Sequence, residues 1–211
     1  MSRRIVFLNG GEEAPYFEEF LRAQNPDIAV SNVTDVQALE DVVTESGGHV
    51  RLISFLTSII VPSRILTRLT LTPYNIHPAT PDYPGSHPES WAIWEGAGEF
   101  GATAHEMTAR VDDGPIVAVL RYAMPPDPQR VALNDHNYAE ALKVFAVVVN
   151  HCAQTDNPMP HMAETWGRVK RTKKDFAALC RVPTGLSGEA LARLRAACGP
   201  SLKMPEGMNA A

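Results

Sequence analysis

Val50–Leu56 is a largely apolar run, too short for a helix and too continuous for a strand with one wet face. Such a run reads as a strand buried on both faces. It therefore needs helices above and below its sheet, which constrains the chain to an α/β architecture. The preceding residues agree. Arg4–Leu8 reads as a first strand, and Asn9-Gly10-Gly11 as the turn after it. Pro15 falls where a first helical turn tolerates it, and Phe17, Phe20 and Leu21 mark one apolar helix face. Ile28–Val30 is a short second strand. Thr34 with Gln37 then makes a capping-box pattern ahead of Val36, Leu39 and Val43, and Gly47-Gly48 ends that helix.

Beyond this strand the alternation continues, with a short helix over Pro62–Leu69 and a strand at Tyr74–Ile76. Repeated β-α units imply a parallel sheet with right-handed crossovers, whose ligands sit beyond the carboxyl ends of the strands. A stiff loop of three prolines, Pro78–Gly85, comes next. Ser86 with Glu89 suggests the cap of a helix carrying Trp91 and Trp94, both read as packing residues. Gly101–Arg110 and Ile116–Ala123 read as strands around an Asp-Asp-Gly turn. A long helix follows from Asn134 to Gln154, with Tyr138, Leu142, Phe145, Val149 and Cys152 expected to face the core. After Asn157 the composition shifts to Pro, Met and basic residues, with a last helix expected from Ser187 to Cys198 and a frayed end from Gly199.

The 211 residues suit one domain with a tail, and 45% hydrophobic with 20% charged residues excludes disorder and fibrous repeats. A net charge of −5 argues against a dedicated nucleic-acid partner. The start of the chain lacks the apolar length of a signal peptide, and no run approaches a membrane span. Cys152, Cys180 and Cys198 are odd in number and form no C-x-x-C pair, so neither a disulfide framework nor a zinc site is expected and a cytoplasmic setting is natural.

Chemistry concentrates in Asn75-Ile76-His77-Pro78, Gly101-Ala102-Thr103-Ala104-His105 and Asp112-Asp113-Gly114-Pro115-Ile116. If these meet, Asn75 can donate to a carbonyl oxygen, and His77 can stabilise charge or shuttle a proton. Asp112 can hold the imidazole or take a proton from a nucleophile. That set suits addition to a carbonyl and collapse of a tetrahedral intermediate. His105 reads as a structural residue orienting the site, with contact to the catalytic groups left open. Asp113 reads as a turn carboxylate and His87 as a helix-start residue without chemistry. Arg168, Lys170, Arg171, Lys173 and Lys174 read as a solvated basic face. A zinc hydrolase would need three of His77, His87, His105 and Asp112 to converge and would leave Asn75 without a purpose, so no metal is expected.

In order and spacing these motifs resemble the folate-dependent formyltransferase family, which includes glycinamide ribonucleotide, methionyl-tRNA and sugar N-formyltransferases. Its signature is N-x-H-P, a Pro/Gly-rich loop and a helix, then G-x-T-x-H and, seven residues after that His, D-x-G-x-I; here His105 precedes Asp112 by seven. The similarity spans roughly the first 125 residues. It implies a Rossmann-like fold: a mostly parallel twisted sheet flanked by helices, with antiparallel strands late in the domain. Residues 1–155 would form the catalytic domain, and 156–211 an extension packed on it or on a partner in a homodimer.

The resemblance also implies 10-formyltetrahydrofolate as donor and a small-molecule amine as acceptor. Asn75 would donate to the formyl oxygen, His77 would stabilise the oxyanion, and Asp112 would orient His77 and manage protons through a water. The pterin would lie in a slot near Ile60 and Val61, closed by Thr108, Arg110 and Val111. Two departures stand out. Asn75 to Gly85 is one residue shorter than the family's usual loop, with Ala79 where Ser is usual. The first loop carries Glu12 and Glu13 and no basic residue, which disfavours a phosphate-bearing acceptor such as glycinamide ribonucleotide and suits a cationic amine. Hydrolysis of the donor and a non-catalytic folate-binding role are the competing functions.

Overall fold

A computed structural model describes residues 3–183, 185–186 and 188–204. Six strands form one sheet: β1 (Arg4–Leu8), β2 (Ala29–Val33), β3 (Arg51–Phe55), β4 (Tyr74–His77), β5 (Glu99–Glu106) and β6 (Ile116–Ala123). Their order is β2-β1-β3-β4-β5-β6. The pairs β1/β2, β1/β3 and β3/β4 are parallel, whereas β4/β5 and β5/β6 are antiparallel. The helices are α1 (Ala14–Gln24), α2 (Val36–Glu45), α3 (Ser63–Leu66), α4 (Pro88–Glu95), α5 (Arg130–Gln154), α6 (Lys173–Leu179) and α7 (Gly188–Cys198). This is the expected α/β, Rossmann-like sheet, parallel first and antiparallel late.

Side-chain alternation builds the two core layers. Ile5 and Phe7 of β1, with Ile53 and Phe55 of β3, pack under α1 and α5, where the Phe17 and Phe145 rings stack at 4.0 Å. Val6, Leu8 and Leu52 point the other way, onto Leu39 and Val43 of α2 and Ile65 of α3. Arg51 is fully buried at the start of β3, where its guanidinium donates to the Thr72 and Asp156 carbonyls at 2.8 and 2.6 Å.

Several boundaries differ from expectation for local reasons. Asp35, not Thr34, caps α2, accepting from the Ala38 N–H at 2.8 Å. The cap of α4 is His87, in a left-handed conformation with φ 55°, because Pro88 takes the first helical turn, where a missing N–H is tolerated. Glu89 is not a capping partner of Ser86; it is buried and accepts from Arg130 Nε at 2.9 Å. That ion pair draws Arg130 into α5, which therefore starts four residues before Asn134. On α5 the buried position is Asn137, which donates to the Pro78 carbonyl at 2.8 Å and accepts from Tyr122, while Tyr138 is 38% exposed. The strand expected to reach Arg110 ends at Glu106. Helix α6 has no counterpart in the sequence expectations; Thr172 and Asp175 form its capping box. The expected start of the last helix at Ser187, and the tail beyond Met204, lie outside the described residues.

Candidate active site

Both N-x-H and T-x-H place their two residues at period two, on one face of a strand. Antiparallel pairing then sets Asn75 opposite His105 and His77 opposite Thr103. All four side chains share one sheet face, the face that α2 and α3 cover only over β1 and β3. A register shift between β5 and β6 at His105 lies at this corner. Such bulges re-aim a side chain. His105 Nδ1 donates to the Glu106 carbonyl at 2.8 Å, which leaves Nε2 to accept from Asn75 Nδ2 at 3.1 Å. That chain of bonds fixes which way the Asn75 carboxamide faces and leaves its second amide hydrogen for a substrate oxygen. His105 therefore bonds Asn75 directly and lies beside Asp112.

Asp112 is 3% exposed and sits between the two imidazoles. Its Oδ2 lies 3.4 Å from His77 Nδ1 and accepts from the Gly85 N–H at 2.8 Å, while Oδ1 lies 3.5 Å from His105 Nε2. It adopts φ 45°, a left-handed backbone that Asp tolerates better than most residues. Burial alone would raise the pKa of its carboxyl. The His77 and His105 imidazoles and the Gly85 N–H outweigh that and hold it at about 2. His77 is pulled below its ordinary value of 6.5, chiefly by burial, against the opposing attraction of Asp112 and the Tyr83 carbonyl. Its Nε2 lies 2.9 Å from that carbonyl. A neutral His77 thus carries its proton on Nε2, and an incoming oxyanion would replace Tyr83 as its acceptor.

The short loop after β4 is held by a segment that the sequence reading left as a basic surface. Gly85 has φ 100°, and a Cβ there would meet the Arg171 carbonyl at 2.1 Å. This close approach lets Ser86 N–H donate to Arg171 O at 2.8 Å and Arg171 N–H to Pro84 O at 3.1 Å. Trp166 donates from Nε1 to the Gly114 carbonyl at 2.9 Å and lies edge-on to His77 and His105, with centroids 5.6 and 5.0 Å away. Lys170 donates to the Val111 carbonyl and lies 3.8 Å from Asp113. No periodicity marks Trp166 in the sequence; its contacts are all distant along the chain.

Residues expected at the donor slot occupy two neighbouring loops. Ile60 is 68% exposed at the carboxyl side of β3, whereas Val61 is buried in the core under α2 and α3. Met107, which opens the β5–β6 loop, packs on that same cluster with Ile59, so the two loops adjoin. In the second loop the Thr108 hydroxyl donates to the Arg110 carbonyl at 3.0 Å; Arg110 and Val111 are exposed. His87 is turned away to Arg130 at 3.1 Å and lies on the Phe176 ring. Among the described residues, no group of three His, Cys, Asp or Glu side chains is arranged to hold a metal ion. No helix there is long and apolar enough to cross a membrane.

A mostly parallel sheet flanked by helices, with a buried polar cluster on β4, β5 and the turn before β6, defines an α/β protein with one candidate active site. The formyl transferase family model matches residues 19–149, well over half of the chain. The chain belongs to that family. Solved structures share the fold. A sugar N-formyltransferase from Shewanella sp FDAARGOS_354 superposes with a TM-score of 0.72 at 17% identity, covering 92% of this chain and 87% of that one. An N-formyltransferase from Helicobacter canadensis, solved with folinic acid and dTDP-3-aminofucose, gives 0.69 at 12% identity over 93% and 80%. HypX from Aquifex aeolicus, in complex with tetrahydrofolic acid, gives 0.61 at 20% identity; it covers 95% of this chain, which matches 35% of that longer protein.

Proposed function

We propose that the protein is an N-formyltransferase that moves a formyl group from 10-formyltetrahydrofolate to the primary amine of a small molecule, such as an amino sugar or amino acid. The observation that carries this reading is the contact of Asn75, His77 and Asp112 through His105 and Gly85. The folate ligands of the Helicobacter canadensis and HypX structures support the donor assignment, and the amino-sugar ligand of the former supports an amine acceptor. The donor supplies an activated formyl carbon. Asn75 donates its free amide hydrogen to the formyl oxygen, and His77 Nε2–H adds a second donor as the oxygen becomes anionic. A carboxyl held at about 2 is a poor base at neutral pH, so Asp112 stays anionic and attracts any proton that His77 gains at Nδ1. Exposed Ile60 offers apolar surface for the pterin, and the backbone of Thr108, Arg110 and Val111 flanks it; Val61 supports the slot from within the core. Glu12 and Glu13 in the first loop favour a cationic acceptor over a phosphorylated one.

The test is calorimetric titration with a non-transferring 10-formyltetrahydrofolate analogue, then an amine panel read by mass spectrometry for the gain of a formyl group. Saturable one-to-one binding and one or more formylated amines are expected. No binding, or binding with no formylated amine from a broad panel, overturns the reading; formate released without any acceptor identifies water as the nucleophile instead.

A further inference from the structure

The face of β4 and β5 that bears Asn75, His77 and His105 is roofed by residues 165–171, well past the long helix. This roof is built into its place. Gly167 N–H donates to the Pro81 carbonyl at 2.8 Å, and a Cβ at Gly167 would meet the Asp82 carbonyl at 2.3 Å, so only glycine lets the chain pass so close. The indole of Trp166 is fixed by its bond to Gly114, on the turn that carries Asp112. From there its ring stands against both imidazoles. Only 3–4% of His77, His105 and Asp112 is exposed, although among the described residues α2 and α3 cover this face only over β1 and β3.

We propose that Trp166 is a positioning residue that keeps water off the His77–Asp112–His105 cluster and so directs the formyl group to an amine rather than to water. The inference rests on the formyltransferase reading above. Once Asn75 and His77 polarise the formyl group, its carbon is open to any nucleophile in reach. In the unwanted branch, a water oxygen bonds to that carbon and the bond to the donor nitrogen breaks. Formate leaves, and the donor nitrogen takes a proton. Water outnumbers any dissolved amine, so selectivity requires a physical barrier. Removing the indole would leave a cavity lined by two imidazoles and a carboxylate, and polar cavities of that size fill with water.

Wild type, Trp166→Ala and Trp166→Phe are compared by two measurements. The first is an NMR pH titration of the His77 ring in ligand-free protein, with Asp112, His105 and Glu89 as the ionisable groups that influence it. Hydration in Trp166→Ala should move the His77 midpoint up towards its ordinary value. The second is formate release from 10-formyltetrahydrofolate with no amine present. It should rise about tenfold or more in Trp166→Ala. Trp166→Phe keeps a ring against the imidazoles but loses the bond to Gly114, and should fall between wild type and Trp166→Ala in both measurements. An unchanged His77 midpoint in Trp166→Ala, in protein shown by circular dichroism to be folded, overturns the inference, as does unchanged formate release by a donor-binding variant. A wild type that binds no donor overturns the proposed function instead, and the titration still decides whether Trp166 shields the cluster.

Discussion

Asp112→Asn keeps the shape of the side chain and removes only its charge. The amide oxygen can still accept from Gly85 N–H, so that donor is not stranded. What disappears is the preference of the folded state for a carboxylate. The drop from 3.8 to about 2 is worth about 2.5 kcal/mol. Because the folded value is depressed, this stability is fully present above 3.8 and is lost as the pH falls through about 2. Asp112→Asn lacks it at every pH. Urea unfolding at constant ionic strength should therefore show a deficit of about 2 kcal/mol at pH 7, a midpoint shift of roughly 1 M for a protein of this size. The deficit should persist at pH 5 and shrink below pH 4. Both proteins lose further stability as the pH falls below 6.5, because burial depresses His77, and Asp112→Asn loses more because the carboxylate that opposes that depression is gone. A deficit under about 0.5 kcal/mol at pH 7, or one that stays constant down to pH 3, refutes the account of Asp112 as a charge held by its two imidazoles.

Three further outcomes follow from the same geometry. Asn75→Ala should leave donor-analogue affinity within a few-fold of wild type while slowing formyl transfer by about 100- to 1,000-fold, the usual cost of losing one oxyanion donor; steady-state kinetics beside calorimetry separate the two effects. Gly85→Ala combines a left-handed backbone with a Cβ 2.1 Å from the Arg171 carbonyl, so it should lose about 2–3 kcal/mol in urea unfolding and lower activity by displacing the N–H that holds Asp112. Arg51→Met should strand the Thr72 and Asp156 carbonyls at the end of the sheet remote from the site; a loss of about 3 kcal/mol, or roughly 10 °C in Tm, is expected by calorimetry with kcat unchanged.

The parts of the molecule legible in its sequence are those with a short period or a fixed spacing. Val50–Leu56 read as a doubly buried strand because alternating residues had to satisfy two cores, and they do. Asn75 and His77, like Thr103 and His105, are two apart, so strand geometry alone put each pair on one face. What could not be read depends on partners far along the chain or on the main chain itself. The Tyr83 carbonyl on His77, and the Arg171 carbonyl over Gly85, belong to no residue type. Arg130 enters its helix because Glu89 is buried nearby, and Asn137 replaces Tyr138 in the interior because the Pro78 carbonyl needs a donor. Lys170 and Arg171 read as a solvated charge run, yet the Lys170 side chain and the Arg171 backbone brace the loops around Asp112.

The bridge between Gly85 and Arg171 also has a consequence for biosynthesis. A ribosome delivers β1 through β6 and all of α5 before it delivers Trp166, Gly167 and Arg171. A nascent chain can therefore assemble its sheet early, yet it holds an unroofed polar cluster until residues 166–171 have been added. Stalling or premature termination just past α5 would release a folded sheet with its histidines open to solvent.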